Sequence, residues 1–242
     1  MAIFDDLENE EARLQDILER LDDSQWATES GAPGWSVADV VLHLAQSEEG
    51  VVASVTGVGI DARHETGVSV DEQMARLVES QRDTPQRIFQ RWRTARVAAL
   101  AELRGADPAK QLRWIEAPLK PATLATTRLA EHWAHALDIT RPLGIDLPDT
   151  DRLRHIAWLA HRSLAYAFAL AGQPDQQVYC RLTAPGGETW EYGPQGAASS
   201  ITGSAGAFCR VAAQRLAPDQ SGLRVEGPHG AAALNVLRTY AA

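Results

Sequence analysis

Three side chains in this sequence could together hold a metal ion, and two of them stand at a telling interval. Glu131 and His135 are four residues apart in Arg128-Leu-Ala-Glu-His-Trp-Ala-His-Ala-Leu-Asp-Ile139. On a helix that interval places a carboxylate and an imidazole one turn apart on one face. A third ligand must come from elsewhere in the chain. The best candidate is His43, on the flank of an earlier apolar helix face. Two imidazoles and one carboxylate suit Zn2+ with a position left open, as in catalytic rather than structural sites. Iron, nickel or manganese would accept the same donors. Spacing alone leaves two plainer readings open. Glu-x-x-x-His also occurs as a solvated helix pair, and a lone His beside an apolar face is commonly a hydrogen-bonded core residue.

The remaining chemistry-bearing residues are less organised. Asp138, three after His135, is either a hydrogen-bond partner that orients His135 or a surface acid. His132 is rotated away from His135 and is expected at the surface. His155 and His161 lie six apart on the next helix, not on one face. His64 and His229 fall in a loop or at a helix start. Cys180 and Cys209 are the only cysteines, with no Cys-x-x-Cys pattern, and read as small buried apolar residues. Ser199, Ser200 and Ser204 read as part of a Gly/Ala-rich connection. No Gly-x-Ser-x-Gly elbow, phosphate loop or dinucleotide fingerprint is present. Arg82 and Arg87 are the candidate contacts for an anionic substrate.

Helices must position these groups. Leu7, Leu14, Leu18 and Leu21 mark an amphipathic helix over residues 3–22, and Trp26 follows in a loop. Ser36 caps the helix that carries His43. Asp39 sits three positions on, in a variant of the capping box, and Trp35 is placed to staple onto Val40. Residues 57–68 read as a loop, and Ser69 caps a helix over 70–81. Thr84-Pro85 starts a long helix to Leu103 that buries Ile88, Trp92, Ala95 and Ala99. An ordered loop over 106–122 leads to the Glu131/His135 helix, from Ala122 to Leu143, ended by Gly144. Another helix runs from Thr150 or Asp151 to Ala171. After Gly172-Gln-Pro174 the period changes to strand-like alternation. Residues 178–182 and 188–192 form a hairpin, 203–216 a helix, 222–227 a strand and 231–242 a final helix. The fold class is therefore mainly α, a bundle of four long helices over residues 1–172, with a small α+β domain over 173–242. Such a bundle can build a metal site from facing helices.

Composition narrows the function classes. The 242 residues carry a formal net charge of −9 and no basic stripe, so nucleic acid is not the expected partner. No apolar run reaches the roughly 18–20 residues that cross a bilayer. The acidic start, Met-Ala-Ile-Phe-Asp-Asp-Leu-Glu, lacks the layout of a secretory signal, and the expected location is cytoplasmic.

Two segments carry a resemblance. Residues 32–45, Ala-Pro-Gly-Trp-Ser-Val-Ala-Asp-Val-Val-Leu-His-Leu-Ala, and residues 127–139, Thr-Arg-Leu-Ala-Glu-His-Trp-Ala-His-Ala-Leu-Asp-Ile, resemble the signature segments of the mycothiol-dependent maleylpyruvate isomerase family. That family belongs to the DinB-like superfamily of metal-binding four-helix bundles. The similarity extends through Asp151-Arg-Leu-Arg-His155, residues 182–190 and residues 201–204, which look like one actinobacterial metal-binding branch. The resemblance implies that His43, Glu131 and His135 are the metal ligands and that the C-terminal domain helps wall the cleft. It further implies a divalent metal, most simply Zn2+, with mycothiol as thiol cosubstrate. The expected activity is S-transfer to, or cis-trans isomerisation of, a small electrophile, by a monomer or homodimer. Two other classes stay open: a metal-dependent hydrolase using bound water, and a non-catalytic metal- or ligand-binding protein. His132, Ala136 and residues 160–163 depart from the branch's usual pattern and leave the substrate unassigned.

Overall fold

Leucine spacing and capping chemistry shape the N-terminal helices. The computed structural model describes residues 2–58, 69–115 and 117–240, and His64 with most of its expected loop lies outside them. Helix α1 (Ala2–Leu18) buries Leu7, Leu14 and Leu18. It stops short of the expected residue 22 because Asp22 caps a separate turn, α2 (Asp23–Trp26). The Asp22 carboxylate accepts from Gln25 N–H at 2.9 Å, and the Gln25 side chain accepts from Asp22 N–H at 3.0 Å. Trp26, expected in a loop, ends this turn and is buried.

Helix α3 (Val37–Thr56) begins with the predicted box. Ser36 Oγ accepts from Asp39 N–H at 3.2 Å and Asp39 Oδ2 accepts from Ser36 N–H at 3.0 Å. Gly57 ends the helix with φ +76°, a conformation that glycine adopts without steric cost. Ser69 caps α4 (Val70–Ser80). Pro85 occupies the first position of α5 (Pro85–Gly105), which buries the expected face of Ile88, Trp92, Ala95, Ala99 and Leu103. Pro121 does the same for α6 (Pro121–Thr140). This helix ends before the expected Leu143, and Ile145 N–H closes onto the Thr140 carbonyl at 2.9 Å.

Helices α1, α3, α5 and α6 pack on one another as a four-helix bundle. Helix α6 is its most enclosed member, since every residue from His132 to Thr140 is buried.

The second compact unit spans Pro148–Tyr240, so the division falls after Leu147 rather than at the expected 172/173. The reason is packing. Helix α7 (Leu153–Arg162) packs on elements of the C-terminal unit. The single helix expected to Ala171 is two, because Ser163 flattens to ψ −1° before α8 (Leu164–Leu170). Strands β1 (Val178–Thr183) and β2 (Thr189–Tyr192) form the predicted antiparallel hairpin, with Cys180 opposite Tyr192.

The Ser199–Ser204 stretch corrects the sequence reading. It is not a connection but strand β3, running parallel to β1 with Cys180 opposite Ile201. Its serines gave it no strand signature. Helix α9 (Ala205–Ala212) is shorter than the expected 203–216 because β3 takes its first residues. Strand β4 (Arg224–Glu226) completes the order β2-β1-β3-β4, and α10 (Gly230–Val236) follows. Cys180 and Cys209 are buried free thiols. Burial pushes Cys180 up to about 12 and raises Cys209 as well, so both stay protonated and unreactive. Among the described residues no helix is long and apolar enough to cross a membrane.

Candidate metal centre

The site sits between α3 and α6. Helix geometry stacks His135 over Glu131, and His43 faces them from α3. Glu131 Oε2 lies 3.5 Å from His135 Nε2 and 3.9 Å from His43 Nε2. One ligand atom from each residue lies within 4.8 Å of the other two. Two donors bound to one tetrahedral Zn2+ at about 2.0–2.1 Å stand roughly 3.3–3.4 Å apart. The two Glu131 separations, 3.5 and 3.9 Å, lie within about 0.6 Å of that value, so a single divalent ion would draw the three donors closer together. The side chains are 12 % (His43), 28 % (Glu131) and 10 % (His135) exposed, so one side of the cluster is open.

Neighbouring groups prepare the ligands. His135 Nδ1 donates to Asp138 Oδ2 at 3.0 Å, which makes Nε2 the nitrogen that faces Glu131. Asp138 is buried, so it is not a surface acid. The loop before α3 closes on the same residue, where Gly31 N–H donates to the Asp138 carbonyl at 2.8 Å. A Cβ at Gly31 would stand 3.1 Å from both Asp138 Cα and Oδ1, so any larger residue would press on Asp138. Sequence reasoning passed over Gly31 because it reads as an ordinary turn residue.

Trp35 was likewise read only as a staple. Its ring lies 5.0 Å from the His43 ring and 6.4 Å from the His135 ring, forming a wall of the site. The signal available was its position in Gly-Trp-Ser, directly before the cap of the His43 helix.

Burial and the neighbouring charges act differently on each candidate ligand. Burial lowers His43 and outweighs the attraction of the facing Glu131 carboxylate, which keeps the imidazole neutral. Burial would raise Glu131, but the facing His135 and His43 imidazoles hold it well below the usual carboxylate range. Burial would lower His135, but the Asp138 and Glu131 hydrogen bonds raise it instead. A bound cation would take the place of that proton.

The other sequence candidates are placed differently. His132, expected at the surface, is completely buried, because α6 is enclosed on this side too. Burial and the Arg128 charge lower it to about 3, so it is neutral. Arg82 forks onto Asp39 at 2.8 and 3.1 Å. Arg87 is 77 % exposed and pairs with Asp83 at 3.4 Å. His161 Nε2 donates to the Val178 carbonyl at 2.9 Å, a structural bond within the second unit. His229 N–H donates to Ser199 Oγ at the start of α10.

Comparison with known proteins gives concordant results. The family model for the mycothiol maleylpyruvate isomerase N-terminal domain matches residues 7–140, which include all three candidate ligands. Two uncharacterised proteins of Mycobacterium tuberculosis, from strains CDC 1551 / Oshkosh and ATCC 25618 / H37Rv, are each 32 % identical over 244 residues. The match covers 98 % of this chain and 94 % of theirs. Two crystal structures of the mycothiol-dependent maleylpyruvate isomerase, one of them a mutant, share the fold with TM-scores of 0.62 and 0.63. Sequence identity to both is 14 %, with 93 % of this chain and 95 % of theirs covered.

Proposed function

The chain belongs to the mycothiol maleylpyruvate isomerase N-terminal domain family, and from that premise we propose that it is a metal-dependent, mycothiol-using transferase or isomerase of a small electrophile. The observation that carries the reading is the convergence of His43, Glu131 and His135 on one partly open point.

In this reading the three residues hold one divalent ion, Zn2+ being the simplest fit to two imidazoles and a carboxylate. When bound, the ion supplies the positive charge that makes a low-molecular-weight thiol a thiolate at neutral pH. The protein's own residues do the rest. Asp138 holds the His135 ring in the tautomer whose Nε2 is free. Glu131, ionised before the ion arrives, offsets part of its charge. The Trp35 ring keeps water from one flank of the imidazoles and offers an apolar surface to a substrate. Neither buried cysteine is needed as nucleophile. Arg82 stays the candidate contact for a substrate carboxylate, in competition with Asp39, whereas Arg87 remains a weaker one.

The test combines metal analysis with a thiol-dependence assay. Wild type is expected to carry about one equivalent of divalent metal, and His43→Ala and Glu131→Gln much less. Metal-loaded protein and mycothiol are then given maleylpyruvate and a panel of alkylating electrophiles, with products followed by mass spectrometry. Isomerised product with the thiol regenerated, or a mycothiol thioether, supports the reading. Turnover that is unaffected by omitting the thiol would overturn it in favour of hydrolysis.

A further inference from the structure

A second set of ionisable side chains is enclosed in the bundle core: Glu11 of α1, Glu48 of α3, Arg96 of α5, and Arg128 and His132 of α6. Glu11, Glu48 and His132 also bring ligand-type atoms within 4.8 Å of one another. A second metal ion is nevertheless a poor fit. His132 uses both ring nitrogens, since Nδ1 donates to the Arg128 carbonyl at 2.9 Å and Nε2 accepts from Trp92 Nε1 at 3.2 Å. Two guanidinium groups share the space. Arg128 Nε donates to Glu48 Oε1 at 2.7 Å, and Arg96 Nη1 lies 3.5 Å from Glu11 Oε2. Burial pushes Glu11 toward its neutral form while the Arg128 guanidinium stays charged, so an added cation would be repelled.

The pairing has a mechanical consequence instead. Glu48 and Arg128 join α3 to α6, the two helices that carry the proposed ligands. Glu48 lies five residues after His43, and Arg128 three residues before Glu131. The spacing of Glu131 and His135 is fixed by their shared helix. The gap from His43 to Glu131 is not, because it depends on how α3 packs against α6. Apolar contacts between helices tolerate sliding, whereas a charge-assisted hydrogen bond prefers about 2.7–2.9 Å. Well-packed apolar residues of similar volume commonly match or exceed the stability of a buried ion pair. A pair that is 0 % and 4 % exposed is thus explained better by the arrangement it enforces than by stability.

We propose that Glu48 and Arg128 are positioning residues, a buried ion pair that fixes the α3–α6 spacing and thereby the distance from His43 to Glu131. The proposal rests on the metal-site reading above. Its test uses Co2+ in the full chain, with affinity measured by chelator competition and geometry by the visible ligand-field spectrum. Thermal melting is recorded separately. Two variants are compared, Glu48→Gln and the apolar replacement Glu48→Leu/Arg128→Met, in which no charge is orphaned. The double variant is expected to melt within a few degrees of wild type, yet to bind Co2+ about 10–100-fold more weakly with an altered spectrum, the range seen when outer partners of a metal site are removed. Wild-type affinity and spectrum in the double variant would overturn the proposal. So would its failure to fold, because the pair would then serve the fold rather than the site. Wild type that binds no Co2+ would refute the metal-site reading itself.

Discussion

At the scale of single residues the site rests on a division of labour between three ligands and the groups behind them. Asp138 touches no proposed metal position, yet it decides which His135 nitrogen is available. Asp138→Asn keeps the shape but lets the amide donate as well as accept, so the tautomer is no longer fixed. Metal affinity is expected to fall about 10–100-fold, measured by chelator competition, while the fold is retained. An unchanged affinity would mean that the ring orients itself. Glu131 and His135 were legible in the sequence because helical spacing places them together without further information. Asp138 was half legible, since spacing gave the reach but not the burial. Gly31 and Trp35 were not, because their role depends on where a loop folds back. Gly31→Val would force bulk against Asp138 and is expected to destabilise the bundle by about 1–3 kcal/mol, the usual cost of overpacking. A urea melt matching wild type would remove the close approach from the account.

At the scale of elements, caps and packing set where α3 and α6 begin and which way they face. Asp39 closes the box on Ser36 and holds Arg82. Burial opposes ionisation of Asp39, but the Arg82 and Ser36 hydrogen bonds prevail and lower it below the ordinary carboxylate value. A lowered carboxyl contributes stability at and above its unfolded value, about 3.9, and loses it as the pH falls through the folded value. Asp39→Asn is therefore expected to lose about 1 kcal/mol at pH 7, a modest figure because Arg82 is half exposed. The difference from wild type should shrink progressively in melts taken below the unfolded value, as the pH falls toward and through the folded one. A gap that persisted there would assign the effect to shape rather than charge. The capped helix starts were readable because capping is local chemistry. The outward face expected for His132 was not, because enclosure of α6 on every side is a property of the assembled bundle. Strand β3 was missed for a related reason. Its place beside β1, and not its Ser-Ser-Ile-Thr-Gly-Ser composition, makes it a strand.

At the scale of the whole chain there are two cores. The bundle core is built from α1, α3, α5 and α6, and the second unit has its own, around Phe168, Leu182, Ile201 and Phe208. The change from helical to alternating pattern was visible in the sequence. The division into compact units after Leu147 was not, because α7 and α8 look like continuations of a helical domain until their partners are known. Metal that binds only the folded bundle stabilises only the bundle, by about 2.7 kcal/mol at a hundredfold excess over Kd. Calorimetry with and without Zn2+ should thus show one unfolding transition moving up and the other, from Pro148–Tyr240, staying in place. Equal shifts of both would contradict this assignment of the ion to the bundle alone.

The most direct test of the central claim is calorimetric titration of mycothiol into metal-loaded and chelator-stripped protein. The account predicts binding with proton release to buffer in the loaded protein. It predicts none in the stripped protein, nor in His43→Ala or Glu131→Gln treated with the same metal. Binding of equal strength to the stripped protein would contradict it, because the thiol would then be held by something other than the point where His43, Glu131 and His135 meet.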